Sequence, residues 1–281
     1  MSLSGISTLF PYSSLRATPP TFRRHCEEQR DEAISSDLTR ESILIILNSM
    51  ESKPAQKINY QKKLDALLTN VSSFKKPSLL LHACCGPCSS YVLEYLYKYF
   101  DITVLYYNPN IYPPEEYQRR LAELKKLYES FPPALEGKVN VVELNYNPDD
   151  FYNAVETREN PELAKEPEKG ERCRRCYEFR LKQSFEYAAT HQFDYFCTTL
   201  SISPFKDAEK LNTIGEQLER NAQNSTNSSQ QKIPHWLPSD FKKKGGFKRS
   251  LEISAEYGMY RQDYCGCIYS KNNKNSAIIE E

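Results

Sequence analysis

Apolar and polar positions along the chain alternate between two kinds of stretch. Leu79–Ala83, Ile102–Tyr107, Val139–Leu144 and Tyr195–Leu200 are short apolar runs, of the length and side-chain make-up that buried strands have. Other stretches carry apolar residues at helical spacing. Residues 59–70 do so through Leu64, Leu67 and Leu68. Residues 89–100 do so through Tyr91, Val92, Tyr95, Leu96 and Tyr99, and residues 114–129 through Tyr117, Leu121, Leu124 and Tyr128. Further helices are expected over residues 173–190, over 206–220, and up to about Tyr257. Strand and helix in alternation predict an α/β fold: a mainly parallel sheet of four or five strands with helices on both faces, in three α/β/α layers. Ligand sites in such sheets form outside the carboxyl ends of the strands.

Residues 1–55 mix Ser, Thr, Pro and charges and are expected to be a poorly ordered extension with one short helix near 41–49. Residues 56–270 read as a single α/β domain, and 271–281 as a tail. Residues 148–172 are acidic and contain prolines, which suggests a lid or excursion. Residues 221–231, rich in Asn, Ser and Gln, suggest a low-complexity loop.

Composition narrows the function classes. Lys plus Arg equals Asp plus Glu at 37 each, so nucleic acid could be bound only through local basic patches. No stretch reaches the roughly 18 apolar residues of a membrane span, and no basic segment precedes an apolar core at the N-terminus. No membrane partner and a cytoplasmic location are therefore expected. The nine glycines form no Gly-x-Gly-x-x-Gly motif and no P-loop, so the usual nucleotide cradles are absent.

The nine cysteines are unevenly placed. Cys84, Cys85 and Cys88 follow the first strand, with Gly86-Pro87 permitting a turn between them. Cys173 and Cys176 open the helix after the excursion. Cys265 and Cys267 flank Gly266. Cys26 and Cys197 stand alone. In a reducing compartment such clusters suit metal or redox chemistry better than structural disulfides. Three readings are open. Cys85-Gly86-Pro87-Cys88 fits a thioredoxin-like thiol–disulfide oxidoreductase; against it stand Cys84, the preceding Leu-His-Ala, and the other clusters. Cys173 and Cys176 have zinc-knuckle spacing that Cys265 and Cys267 would complete, as in a zinc-stabilised RNA-binding module. Residues 84–88 and 173–176 together can supply the four thiolates of an iron–sulfur cluster. The Cys265-Gly266-Cys267 unit reads either as a strained, reducible pair or as two more metal ligands.

Four segments together resemble a known family. His82-Ala83-Cys84-Cys85-Gly86-Pro87-Cys88, Cys173-x-x-Cys176-Tyr177-x-x-Arg180-Leu181, Thr198-Thr199-Leu200-x-Ile202-Ser203-Pro204-x-Lys206 and Tyr264-Cys265-Gly266-Cys267-x-Tyr269-Ser270 look like the epoxyqueuosine reductases of the QueH type, over about residues 76–270. The resemblance implies reduction of the epoxide of epoxyqueuosine, at the wobble position of tRNA, to queuosine. It implies a [4Fe-4S] cluster on Cys84, Cys85, Cys173 and Cys176, a redox-active disulfide between Cys265 and Cys267, and no cobalamin. Many relatives have an aspartate at the position of Cys88, which suggests Cys88 as a ligand to an additional iron or as an alternative cluster ligand. A separate electron donor is implied, which the residues do not identify.

The remaining chemistry is assigned from residue type. Deoxygenation consumes two protons, and Asp207, Tyr264 and Asp263 are the candidate donors. Asp207 has an alternative as a helix N-terminal carboxylate. His82 lies within the first strand and is expected to be a buried, hydrogen-bonded histidine. The run Lys242-Lys243-Lys244 to Arg249, with Arg174 and Arg175, is the candidate phosphate-contacting surface.

Overall fold

The structure is a computed structural model that describes residues 57–71, 75–225 and 232–272. The expected extension 1–55 with its helix and Cys26, residues 226–231 of the expected 221–231 loop and most of the tail lie outside the described residues, and residues 221–225 of that loop are helical instead.

Five parallel strands form one sheet in the order β3-β2-β1-β4-β5. They are β1 (Ser78–His82), β2 (Asp101–Tyr106), β3 (Asn140–Glu143), β4 (Tyr195–Thr198) and β5 (His235–Trp236). The helices are α1 (Tyr60–Leu68), α2 (Gly86–Leu96), α3 (Pro114–Tyr128), α4 (Pro132–Glu136), α5 (Pro148–Val155), α6 (Glu162–Lys165), α7 (Glu171–Thr190), α8 (Ala208–Ser225) and α9 (Gly246–Glu256), with a 3-10 turn at Thr199–Ile202. β1 is the central strand, and three of its five residues are consecutive leucines because both its faces are covered.

The period-two alternation of β1 separates the two layers. Leu79 and Leu81 face Leu64 of α1, Val92, Leu93 and Leu96 of α2, Leu124 of α3 and Ile253 of α9. Leu80 faces Tyr177 and Leu181 of α7 and Leu211 and Ile214 of α8. Each buried leucine of this kind contributes roughly 1.5–3 kcal/mol. α3 forms where expected because Pro114 opens it, Glu115 and Glu116 lie in its first turn, and Lys125 and Lys126 lie in its last, all matched to the helix dipole.

Several expectations are corrected. α2 starts at Gly86, three residues before the expected start, because the Cys85 sulfur caps it by accepting from the Cys88 amide at 3.4 Å. The 148–172 excursion is not a loose lid. It contains α5 and α6, and buried Phe151 and Val155 pack with Cys176 and Cys267. β5 is only two residues long, too short for its pattern to register. It is held by Asn212 of α8, whose side-chain oxygen accepts from the Trp236 indole at 3.1 Å and the Ser239 amide at 2.9 Å. Gly215 lets α8 lie against that indole, since a Cβ there would sit 2.2 Å from the ring. Among the described residues no helix is long and apolar enough to cross a membrane.

Candidate functional site

The chain runs outward from β1 to β2 and β3 on one side, then returns to place β4 and β5 on the other. The carboxyl ends of β1 and β4 therefore diverge at a topological switch point, where open α/β sheets bind ligands. A cavity of about 370 Å³ opens there. Its wall includes Cys84, Cys88 and Cys265.

β1 ends at His82, and the chain bends at Cys84 before entering α2. This turn brings three sulfurs together. Those of Cys84 and Cys85 lie 3.9 Å apart, and those of Cys84, Cys85 and Cys88 all lie within 4.8 Å of one another. Among the described residues no other three Cys, His, Asp or Glu side chains are grouped so tightly. The three thiols are not equivalent. Hydrogen bonds from Cys85 and Cys88, with the guanidinium charges of Arg180 and Arg120, hold the Cys84 thiol well below its ordinary pKa despite burial. Burial, then the bond to Cys84, pushes Cys85 up to about 12. The Gln262 amide donates to the Cys85 sulfur at 2.9 Å.

Cys173 and Cys176 lie in the first two turns of α7, with Cys173 half-buried and Cys176 buried. They are not part of the tight triad. Burial raises both thiols, Cys176 to about 11, where Arg180 opposes the rise. Arg180, one turn beyond Cys176, ties the segments together, because its charge acts on Cys176, Cys84 and Cys265. It is 2% exposed. It donates to the Asn108 side-chain oxygen at 2.5 Å, and Asn108 in turn donates to the Ala83 carbonyl at 2.9 Å. Its Nε has no partner, and no described carboxylate oxygen lies within ion-pair distance of it. A buried cation of this kind needs an anion nearby, and the sulfurs are what it faces. Soft thiol donors beside an uncompensated buried cation suit an anionic, sulfur-ligated metal group.

The Cys265–Cys267 loop closes the other side of the cavity. Both residues are free thiols. The Lys206 ammonium lies 2.7 Å from the Cys265 sulfur. Arg120 donates to the Cys265 carbonyl at 3.3 Å while its Nε pairs with Glu116 at 2.6 Å. Ser270 Oγ accepts from the Cys265 amide at 3.1 Å and donates to Glu168 at 2.6 Å. Gly266 has a φ of +127°, and a Cβ there would lie 3.0 Å from Arg120 Nη1, so glycine suits both the backbone and the close approach. The Cys267 hydrogen bond, then the Lys206 charge, holds the Cys265 thiol well below its ordinary pKa against burial.

A family profile described as "Epoxyqueuosine reductase QueH" matches residues 79–273. Proteins named epoxyqueuosine reductase QueH align with most of the chain. The one from Streptococcus pyogenes serotype M1 is 36% identical over 228 residues, spanning 81% of this chain and 84% of its own. The Staphylococcus epidermidis protein is 38% identical over 216 residues, spanning 76% and 85%. The Thermotoga maritima protein is 29% identical over 196 residues, spanning 69% and 90%. The chain belongs to the epoxyqueuosine reductase QueH family.

Against this family background the other expected residues can be placed. His82 is buried between the Thr198 hydroxyl, at 2.8 Å from Nδ1, and the Tyr107 carbonyl, at 3.2 Å from Nε2. The carbonyl requires the proton on Nε2, so Nδ1 accepts from Thr198. Burial, then the Arg180 charge, lowers its pKa to about 3, which keeps it neutral and structural. Cys197 is buried in β4, with its sulfur 3.3 Å from the Leu237 carbonyl. Asp207 does not line the cavity. Its carboxylate accepts from the amides of Glu209 and Lys210 at 3.0 and 3.1 Å, capping α8. Tyr264 and Asp263 do line the cavity, and the Tyr264 hydroxyl donates to the Tyr112 carbonyl.

The expected phosphate-contacting residues are largely committed within the protein. Lys242 pairs with Asp240 at 2.7 Å, Lys244 with Asp65 at 2.6 Å, and Arg249 with Glu94 at 2.7 Å. Arg174 pairs with Glu171 and Glu178, and Arg175 with Glu156 and Glu171. Lys243 and Lys248 are exposed. Residue patterns alone missed Arg120 and Gln262, and gave no role to Lys206 and Arg180, which stood only as motif positions. A signal existed for Arg180, which is four residues after Cys176 and therefore on the same helix face.

Proposed function

We propose that this chain is an epoxyqueuosine reductase acting on tRNA, converting the epoxide of the wobble nucleoside to an alkene and water. The observation that carries the reading is the meeting of two cysteine groups at one cavity at the sheet's switch point: Cys84 and Cys88, grouped tightly with Cys85, line it together with Cys265. Family membership supplies the substrate class.

In this reading Cys84, Cys85, Cys173 and Cys176 hold a [4Fe-4S] cluster, Cys88 is a ligand to an additional iron, and cobalamin has no part. Bound there, the cluster would supply redox electrons and a Lewis-acidic iron. The chain's own residues do the rest. Arg180 and Arg120 balance the negative charge of the thiolates. Gln262 fixes the Cys85 sulfur. Cys265 and Cys267 form a dithiol that gives up an electron pair as it closes to a disulfide. Phe205, 64% exposed at the cavity, offers a stacking surface for an unstacked anticodon base. Lys243 and Lys248 are the phosphate contacts that remain uncommitted.

Incubation of anaerobically purified, reduced protein with tRNA carrying epoxyqueuosine, followed by nucleoside mass spectrometry, tests the reading. Loss of one oxygen from the wobble nucleoside is expected. An unchanged nucleoside, with iron present and the dithiol reduced, would refute it.

A further inference from the structure

The two sulfurs of the Cys265–Cys267 pair have different surroundings. Cys265 is half-buried and lines the cavity, whereas Cys267 is 7% exposed and packs among Phe151, Val155 and Cys176. Lys206 is itself only 7% exposed. Its ammonium touches the Cys265 sulfur at 2.7 Å, and among the described residues no carboxylate oxygen lies within ion-pair distance of it. A surface lysine would be solvated, but a buried one needs a compensating anion. The turn before α8 sets this arrangement. The Phe205 amide donates to Ser203 Oγ at 3.3 Å and the Lys206 amide to the Ser203 carbonyl at 3.1 Å, so Phe205 is exposed while Lys206 is buried.

We infer that Lys206 makes Cys265 the reactive sulfur of the pair and delivers a proton when the pair is oxidised. The inference rests on the proposed reductase reading. In the reduced state Cys265 is a thiolate paired with the Lys206 ammonium, and Cys267 is a thiol. Oxidation joins the two sulfurs, releasing two electrons and the Cys267 proton. The epoxide takes both electrons; its two C–O bonds break, an alkene forms, and the oxygen leaves as water. The first proton of that water is the one from Cys267. The second comes from Lys206, because the new S–S bond consumes the thiolate charge and leaves the buried ammonium without its anion, a state that desolvation disfavours. Thiolate, ammonium, thiol and epoxide thus become disulfide, amine, alkene and water, with charge and atoms balanced.

The titratable and charged groups that face this ion pair are Arg180, Cys173, Cys176 and Tyr177 from α7, Glu168 from the segment before it, and Cys267 from the same loop. Glu168 is engaged by Ser270 at 2.6 Å.

Two readouts separate the roles. In reduced, anaerobic holoenzyme, iodoacetamide alkylation is followed at each cysteine by peptide mass spectrometry between pH 6 and 9. In the wild type, Cys265 should react at least ~10-fold faster than Cys267 at the low end. Lys206→Gln should abolish that preference, and Cys267→Ser should leave Cys265 reactive. Lys206→Arg keeps the charge but cannot give up a proton. It should retain the alkylation preference while kcat falls about 100-fold, the scale of a lost general acid, with KM little changed. An unchanged preference in Lys206→Gln, or faster alkylation of Cys267 in the wild type, overturns the pairing. Wild-type turnover by Lys206→Arg overturns the proton role. Failure of the wild type to convert the tRNA sinks the reductase reading, and the proton role with it, but leaves the alkylation result standing, so the two failures are distinguishable.

Discussion

The two cysteine groups on either side of the cavity are built by different means. Cys84, Cys85 and Cys88 are placed by the backbone: a buried strand ends, the chain bends, and a helix starts on a sulfur cap. Their sulfurs lie within 4.8 Å of one another, and the guanidinium charges of Arg180 and Arg120 act on Cys84. Cys265 and Cys267 sit in a loop that runs directly into a helical stretch at 268–272, fixed by the guanidinium of Arg120, the hydroxyl of Ser270 and a glycine that no side chain could replace without strain. There a buried ammonium touches one of the two sulfurs. Three sulfurs grouped at one turn suit a multi-sulfur ligand set, and a sulfur in contact with a buried ammonium beside a second thiol suits exchange between two oxidation states. The difference separates holding a redox group from being one.

The comparison is most severely tested at Arg180, which serves both groups. Arg180→Leu should cost about 3–5 kcal/mol of stability, the scale for breaking a buried charge arrangement, and abolish turnover. Urea denaturation and the tRNA assay check this; loss of activity at one group alone would show that they do not share the residue.

A change remote from both groups should leave both intact. Gly215→Ala forces a methyl onto the Trp236 ring and should cost about 1–3 kcal/mol, read as a lower thermal midpoint. The alkylation preference of Cys265 should be that of the wild type.

Asp207 sharpens the boundary of the site. As the cap of α8 it should cost about 1 kcal/mol when replaced by alanine, with turnover within about threefold of the wild type at a temperature where the variant is folded. A fall of about 100-fold would restore it as a proton donor. The smallest effect is expected at the surface. Lys243→Ala with Lys248→Ala should reduce the salt dependence of tRNA binding by about one to two in logarithmic slope. Lys242→Ala with Lys244→Ala should change it less, because those charges are already paired.

The parallel sheet was legible because its central strands are continuous apolar runs and its helices repeat cleanly. The two-residue β5 was not, because it depends on Asn212 and Gly215 of a distant helix and not on its own pattern. The cysteine clusters were visible as spacing. What joins them was not: Arg180 and Lys206 stood in the family-like segments without a role, and nothing marked Arg120, because only the fold buries these charges beside the sulfurs. The basic run was legible too, but how its charges are paired was not. Lys242, Lys244 and Arg249 are a patch in sequence, but each meets a carboxylate in space.

The division of labour is tested most directly by iron and sulfide analysis of two anaerobically purified variants. Cys84→Ser/Cys85→Ser should contain almost no iron, and Cys265→Ser/Cys267→Ser should contain as much as the wild type while being inactive on tRNA. Equal loss of iron from both variants would mean that the loop cysteines are metal ligands, and would contradict the account.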